Sequence, residues 1–229
     1  MAFPQTSSPA TTQFAANSTS HNVALPATVN AGDLLLLHIM LEGPSSFTAT
    51  PSGWTQLAQY ADSTLGFACY AKVADGSEGG GAAGFTTSSG SNGAAHCYRI
   101  TDWYGSIAGV EANSLSFGGS AFPNPGSLTA SWGSADNLWF ALAGGVDDDQ
   151  AFTAAPSSYT NLVSTISGGG TNNGGEAGSA RRELASDTEN PGAFSLQSTE
   201  NWEALTVVVR PAAAVLSAGA RLSMMGCGG

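Results

Sequence analysis

The residues able to do chemistry in this chain are few and scattered. Asp147, Asp148 and Asp149 are its one run of adjacent carboxylates. Three carboxylates in one loop can hold Ca²⁺ through hard oxygen ligands, with Glu42 from a matching loop earlier in the chain as a further ligand. A solvated acidic loop would use the same residues for no chemistry. Trp103, Tyr104 and Trp132 stand beside turn residues, where an aromatic ring either stacks on a sugar or caps a core. His21, His38 and His96 are dispersed, and His38, inside an apolar run, reads as a satisfied core residue rather than a base. The sequence contains no Gly-x-Ser-x-Gly elbow, no phosphate loop and no His-x-x-x-His pair. No catalytic residue and no cofactor is therefore expected, calcium excepted. A hydrolase would need a pair of distant carboxylates that the sequence does not reveal.

Charge narrows the partners. Lys and Arg number 6 against 17 Asp and Glu, giving a net charge of −11, which repels phosphate backbones and argues against nucleic acid. Only 10% of residues are charged while Gly numbers 30, so hydroxyl and amide side chains must cover the exterior. The start, Met1-Ala2-Phe3-Pro4-Gln5, has neither a basic nor a long apolar segment, and Leu34 to Leu41 is too short for a bilayer helix. A soluble chain made in the cytoplasm, with no membrane insertion, is the expectation. Cys69, Cys97 and Cys227 have no metal-type spacing; the first two sit in apolar runs as small core residues.

The elements that must position any site come in two matching sets. Asp33-Leu34-Leu35-Leu36-Leu37 and the later Pro51-Ser52-Gly53-Trp54-Thr55 are answered by Asp136-Asn137-Leu138-Trp139-Phe140 and Pro156-Ser157-Ser158-Tyr159-Thr160. Asp75-Gly76-Ser77-Glu78 with Phe85 is answered by Asp187-Thr188-Glu189 with Phe194, and the run ending Arg99-Ile100 by the one ending Val209-Arg210. Each set holds apolar runs of strand length between Gly, Ser, Asn and Pro. One set alone makes a sheet with a bare apolar face. The pair predicts an all-β antiparallel sandwich, jelly-roll-like, of two repeated units (about 21–104 and 127–211) related by a pseudo-twofold axis, in one domain spanning 21–211. Leu34 to Leu41, apolar at both parities, reads as a strand buried on both faces. Trp54, Ala58 and Tyr60 are expected on one strand face.

The ends differ from the middle. Residues 1–20 carry little apolar content and read as an N-terminal arm ordered against a neighbour, or as a floppy leader. Residues 212–229 form a second arm in which Leu216, Leu222, Met224 and Met225 need a cover, supplied by another subunit or by the chain's own sandwich.

The strings Leu25-Pro26-Ala27-Thr28-Val29-Asn30-Ala31-Gly32-Asp33-Leu34-Leu35-Leu36, Pro51-Ser52-Gly53-Trp54-Thr55 and Tyr70-Ala71-Lys72-Val73-Ala74-Asp75-Gly76-Ser77-Glu78 resemble a group of structural proteins of tailed bacteriophages. The resemblance covers about residues 20–104, with the second set a weaker echo, and brings no catalytic residue. It implies a non-enzymatic component of the exposed virion surface, a head decoration or fibre protein. Its expected partners are other virion proteins and copies of itself. The alternative is a tail-fibre module that binds a receptor or a host surface glycan through Trp103, Tyr104 and Trp132.

Overall fold

A computed structural model describes residues 2–146, 150–168 and 174–213. The first half contributes β1 (Gln5–Thr6), β2 (Ala10–Ala24), β3 (Leu34–Glu42), β4 (Phe47–Ala49), β5 (Thr55–Ala61), β6 (Leu65–Val73) and β7 (Ala82–Thr101). After a 3₁₀ turn at Ile107–Gly109 come β8 (Val110–Ala112), β9 (Ser116–Ser120), β10 (Leu128–Thr129), β11 (Ala135–Val146), β12 (Phe152–Ala154) and β13 (Thr160–Thr165). The last strands are β14 (Gly175–Ser186), β15 (Thr188–Glu189), β16 (Ser195–Leu196) and β17 (Glu200–Val209). Every pairing is antiparallel, and the fold is an all-β sandwich.

Two large sheets face each other. The first runs β7-β3-β6-β5 and the second β17-β11-β14-β13, so the same strand order recurs in sequence-matched elements. The register matches too: Leu34 pairs with Val73 and Ile100, and Leu138 with Glu183 and Val209. This sets Ile100 against Val209 and Asp33 against Asn137, one residue away from the alignment that the sequence suggests at each place.

The alternation along β3 explains its continuous apolar run. Leu34, Leu36 and Met40 enter the seam between the sheets, while Leu35, Leu37, Ile39 and Leu41 point the other way. The outward face is not left bare for another molecule. β7 is long enough to leave the sheet and turn back over it, placing Phe85 5.6 Å from the Tyr70 ring, with β2 and β4 paired alongside. The second sheet is covered likewise by the short β10–β15 and β12–β16 ladders, with Phe152 and Phe194 5.3 Å apart over Trp139 and Ala141. A unit expected to hide one face against its twin therefore hides both. Each fully buried Leu, Ile or Phe side chain adds about 1.5–3 kcal/mol, so two outer cores besides the seam make the body largely self-sufficient.

Three expectations need correction. The segment read as an N-terminal arm is an edge strand of the chain's own first sheet: Gln5 and Thr6 pair with Thr101 and Ile100, and Ala10 to Phe14 with Cys97 to Gly93. Its alternating Thr, Gln and Phe suit a strand wet on one side, and the length of β7 supplies the partner. Trp54 and Ala58 lie on opposite faces, because a bulge between Gln56 and Ala58 inverts the parity of β5. Ile107 to Glu111 reads from the sequence as a strand, but Ile107 to Gly109 is a 3₁₀ turn and the strand begins only at Val110. Leu216, Leu222, Met224, Met225 and Cys227 lie outside the described residues.

Candidate functional site

The predicted aromatic trio is assembled where β7 and β17 end together. Asp102, at φ 56°, turns the chain out of β7; Trp103 then bridges to Pro211, and the Tyr104 N–H donates to the Arg210 carbonyl at 3.0 Å. Trp132 reaches the same end from the tight turn before β11, where the Gly133 N–H donates to the Ala130 carbonyl at 3.1 Å. The Arg210 guanidinium lies 4.4 Å from the Tyr104 ring centre and 5.8 Å from that of Trp132. Sequence reasoning missed Arg210, whose signal was its place directly after the clearest strand.

Trp103 is only 5% exposed and its indole N–H donates to the Gly32 carbonyl at 2.9 Å, so it caps the seam core and offers no sugar platform. Trp132 is half-buried and gives its N–H to Asn137 Oδ1 at 3.1 Å. Tyr104 is 41% exposed, but the guanidinium already stands against its ring. The stack is worth about 0.5–1 kcal/mol at such an exposed position, and its chemistry is to fasten the end of β17 to two turns.

Two of the three histidines, His38 and His96, belong to the seam. His96 Nδ1 lies 2.8 Å from Ser179 Oγ and its Nε2 2.9 Å from Thr165 Oγ1, while the Tyr98 hydroxyl meets Ser179 Oγ at 2.8 Å. First-sheet groups are thus clipped to the second sheet inside a dry interface. His38 stands 4.9 Å from His96, ring centre to ring centre, and its Nε2 has no hydrogen-bond partner among the described residues. Burial holds His38 down to about 3, and burial followed by the neighbouring His38 charge holds His96 well below its ordinary value. Both are neutral near pH 7, and neither is reachable by a substrate. His21 is likewise buried, 3.3 Å from Thr87 Oγ1 and 3.1 Å from Ser91 Oγ.

Glu203 faces the same seam at its far end. It is buried, neither carboxyl oxygen has a hydrogen-bond partner among the described residues, and burial followed by the Asp62 charge pushes its pKa up to about 8. Asp62 itself is held low by the Leu65 and Thr64 N–H groups and by the Tyr60 hydroxyl, 2.9 Å away. The two carboxyls are thereby pushed apart in acidity, but full burial of Glu203 keeps it from any substrate.

Asp147, Asp148 and Asp149, the calcium candidates, lie outside the described residues; Glu42 ends β3, half-buried. Among the described residues no group of His, Cys, Asp or Glu is arranged to hold a metal ion, and no helix is long and apolar enough to cross a membrane. Cys69 and Cys97 are free and buried, and burial raises both thiols.

Several hollows open at the surface of the described residues, and one of them lies beside Trp54. About 370 Å³ in volume, it is lined by Trp54, Thr50, Ser52, Lys72, Ser77 and Glu78 over a floor that includes Ala82. The turn that builds it is tied by Glu78, which accepts the Asp75 and Gly76 N–H groups at 3.1 and 3.0 Å and pairs with Lys72 Nζ at 2.8 Å. Burial opposes the charge on Glu78, but Lys72 and those N–H groups prevail and hold its pKa at about 2. The second sheet repeats the ion pair as Arg182 and Glu189, 2.9 Å apart, with Tyr159 in the place of Trp54. Searches of family models, of curated proteins and of solved structures found no match to this chain.

Proposed function

We propose that the chain is a non-enzymatic structural protein on the exposed surface of a tailed-bacteriophage particle, a head decoration or fibre component. The observation that carries this reading is a body whose two large sheets are each covered on both faces among the described residues. Both faces of both large sheets are covered by the same chain, leaving a charge-poor exterior of hydroxyl, amide and glycine groups. Such a block is suited to withstand the medium. The resemblance of residues 20–104 to virion proteins supplies the context, and its strings fall at the turns that fix this block, such as Gly32, Asp33 and Glu78.

Attachment then falls to the C-terminal end. The N-terminal segment is occupied as an edge strand, and the last described residues, Pro211 to Ala213, leave the sandwich beside Asp102, where the Ala212 N–H donates to the Asp102 carbonyl at 3.0 Å. Residues 214–229, with Leu216, Leu222, Met224 and Met225, follow. The test is to supply the full chain, or one ending at Ala213, to particles made without it and to measure occupancy by immunogold labelling. The full chain should decorate, and the shortened chain should fold without decorating. Full occupancy by the shortened chain, or no labelling by either, overturns the proposal.

A further inference from the structure

The strongest unassigned feature is the hollow beside Trp54, and we propose that it binds a neutral saccharide, of mono- to disaccharide size. The proposal stands apart from the particle-surface reading, since a free or particle-bound protein would bind through it equally. Its volume of about 370 Å³ falls in the lower part of the range of small-ligand sites. The wall is an indole. Trp103, Trp132, Trp139 and Trp202 each donate their N–H to a protein oxygen, at 2.9, 3.1, 3.3 and 3.0 Å. Trp54 has no such acceptor among the described residues and is half-buried against the outer core of the first sheet. Its ring is fixed in place while its donor is spare.

The polar groups around that ring suit hydroxyls. Lys72 offers N–H donors and Glu78 carboxylate lone pairs, and the two are paired at 2.8 Å, so the hollow gathers strong hydrogen-bonding groups of both kinds. Because that pair is internally balanced, nothing there selects an anion, and the chain's net charge of −11 disfavours uronic or sialic acids further. Thr50, Ser52 and Ser77 add hydroxyls at the rim, and the small side chain of Ala82 leaves room for a flat ring. An apolar face beside clustered donors and acceptors matches a pyranose, which has a C–H face and an equatorial belt of hydroxyls. The corresponding place in the second sheet has a buried tyrosine, Tyr159, instead of an accessible indole, which limits the site to the first half.

The test uses the full chain and saturation-transfer NMR with maltose, lactose, N,N′-diacetylchitobiose and digalacturonic acid as probes. At least one neutral disaccharide should bind, with digalacturonic acid weaker. Trp54→Ala should weaken it by at least about tenfold. Because that variant also loosens the outer core, Ala82→Trp serves as a second: it fills the hollow from an exposed position and should abolish binding with the thermal midpoint unchanged. Tyr104→Ala, at the other end of β7, should bind as the parent does. Failure of all three neutral probes at about 10 mM, or binding that survives Ala82→Trp, overturns the proposal.

Discussion

Acidification should loosen the seam between the two sheets, and replacing His38 should remove much of that sensitivity. His38 titrates near 3 in the folded chain and His96 well below its ordinary value, against about 6.5 when unfolded. Between those limits the unfolded chain takes up protons that the folded chain refuses, so stability falls as pH falls, by about 1.4 kcal/mol per pH unit for each ring. Glu203 works in the opposite sense: its folded pKa of about 8 exceeds the unfolded one, so its contribution is complete below about 4.5 and is lost as pH rises through 8. From pH 6.5 to 4.5 His38 costs about 2–3 kcal/mol and Glu203 returns about as much, so the net loss over this range comes from His96, whose shift has the same sign as that of His38. Below 4.5 the return ends and the decline steepens, with Asp62 and Glu78, both held low in the fold, adding to it. His21, also lowered by burial, adds loss of the same sign as the seam histidines. His38→Leu is the informative variant, because His38 Nε2 has no partner to orphan and the matching register position in the second sheet is already Leu142. Urea midpoints read from tryptophan fluorescence at pH 4 to 9 would measure both chains. Between pH 6.5 and 4.5 the parent should lose about 2–3 kcal/mol more than the variant, the share of His38. Equal acid slopes in the two would refute the assignment of that slope to the seam.

Glu203→Gln removes the alkaline limb: relative to the parent it should gain about 3–5 kcal/mol at pH 9 and stay within about 1 kcal/mol at pH 5, by the same denaturation series. Gly93→Ala places a Cβ onto the Met40 backbone carbonyl, which cannot move aside without breaking the β3–β7 ladder. A loss above about 3 kcal/mol, or failure to fold, is expected, and a near-parent urea midpoint would contradict the close approach. Deleting residues 1–14 strips β1 and half of β2 from β7 and uncovers Phe14's place against the outer core, so calorimetry should show a fall in Tm of about 10 °C. An unchanged Tm would restore those residues to the role of an arm.

The strands were legible because their signals are local. Turn pairs such as Gly32-Asp33 and Asp75-Gly76 bracket apolar runs of strand length, which was enough for an all-β sandwich but gave no strand order within either sheet. What the sequence hid depends on events between distant elements. Nothing in the residues around Gly90 and Gly93 says that β7 continues through them, so Phe85 to Ser88 and Ala94 to Ile100 read as separate strands when they are one bent strand. The N-terminal segment read as an arm for want of apolar residues; its alternation means a strand only once a long unpaired edge is known to exist. The bulge in β5 slipped the parity of Trp54 for a similar reason, since a single extra residue leaves no mark in composition. Site residues were harder still. Exposed aromatics in turns drew attention to Trp103, whose N–H turned out to be spent on Gly32, while Trp54 stood inside a string that reads as a strand start.

The seam joins unlike residues from the two sheets. Met40 and Gly144 occupy matching places in strand order and register, and they meet across the seam: a Cβ on Gly144 would overlap Met40 Cγ. Were both Met, the sheets could not close; were both Gly, a cavity the size of a Met side chain would remain, at a cost of about 2–5 kcal/mol. The same inequality holds one strand over, where Ala94 pairs with Met40 and Glu203 with Gly144, and again at His38 and His96 against Leu142 and Leu205. Each sheet is therefore shaped for the other and misfits a copy of itself. Met40 needs a residue without a side chain opposite it, and Gly144→Ala should hold the two sheets apart at this point.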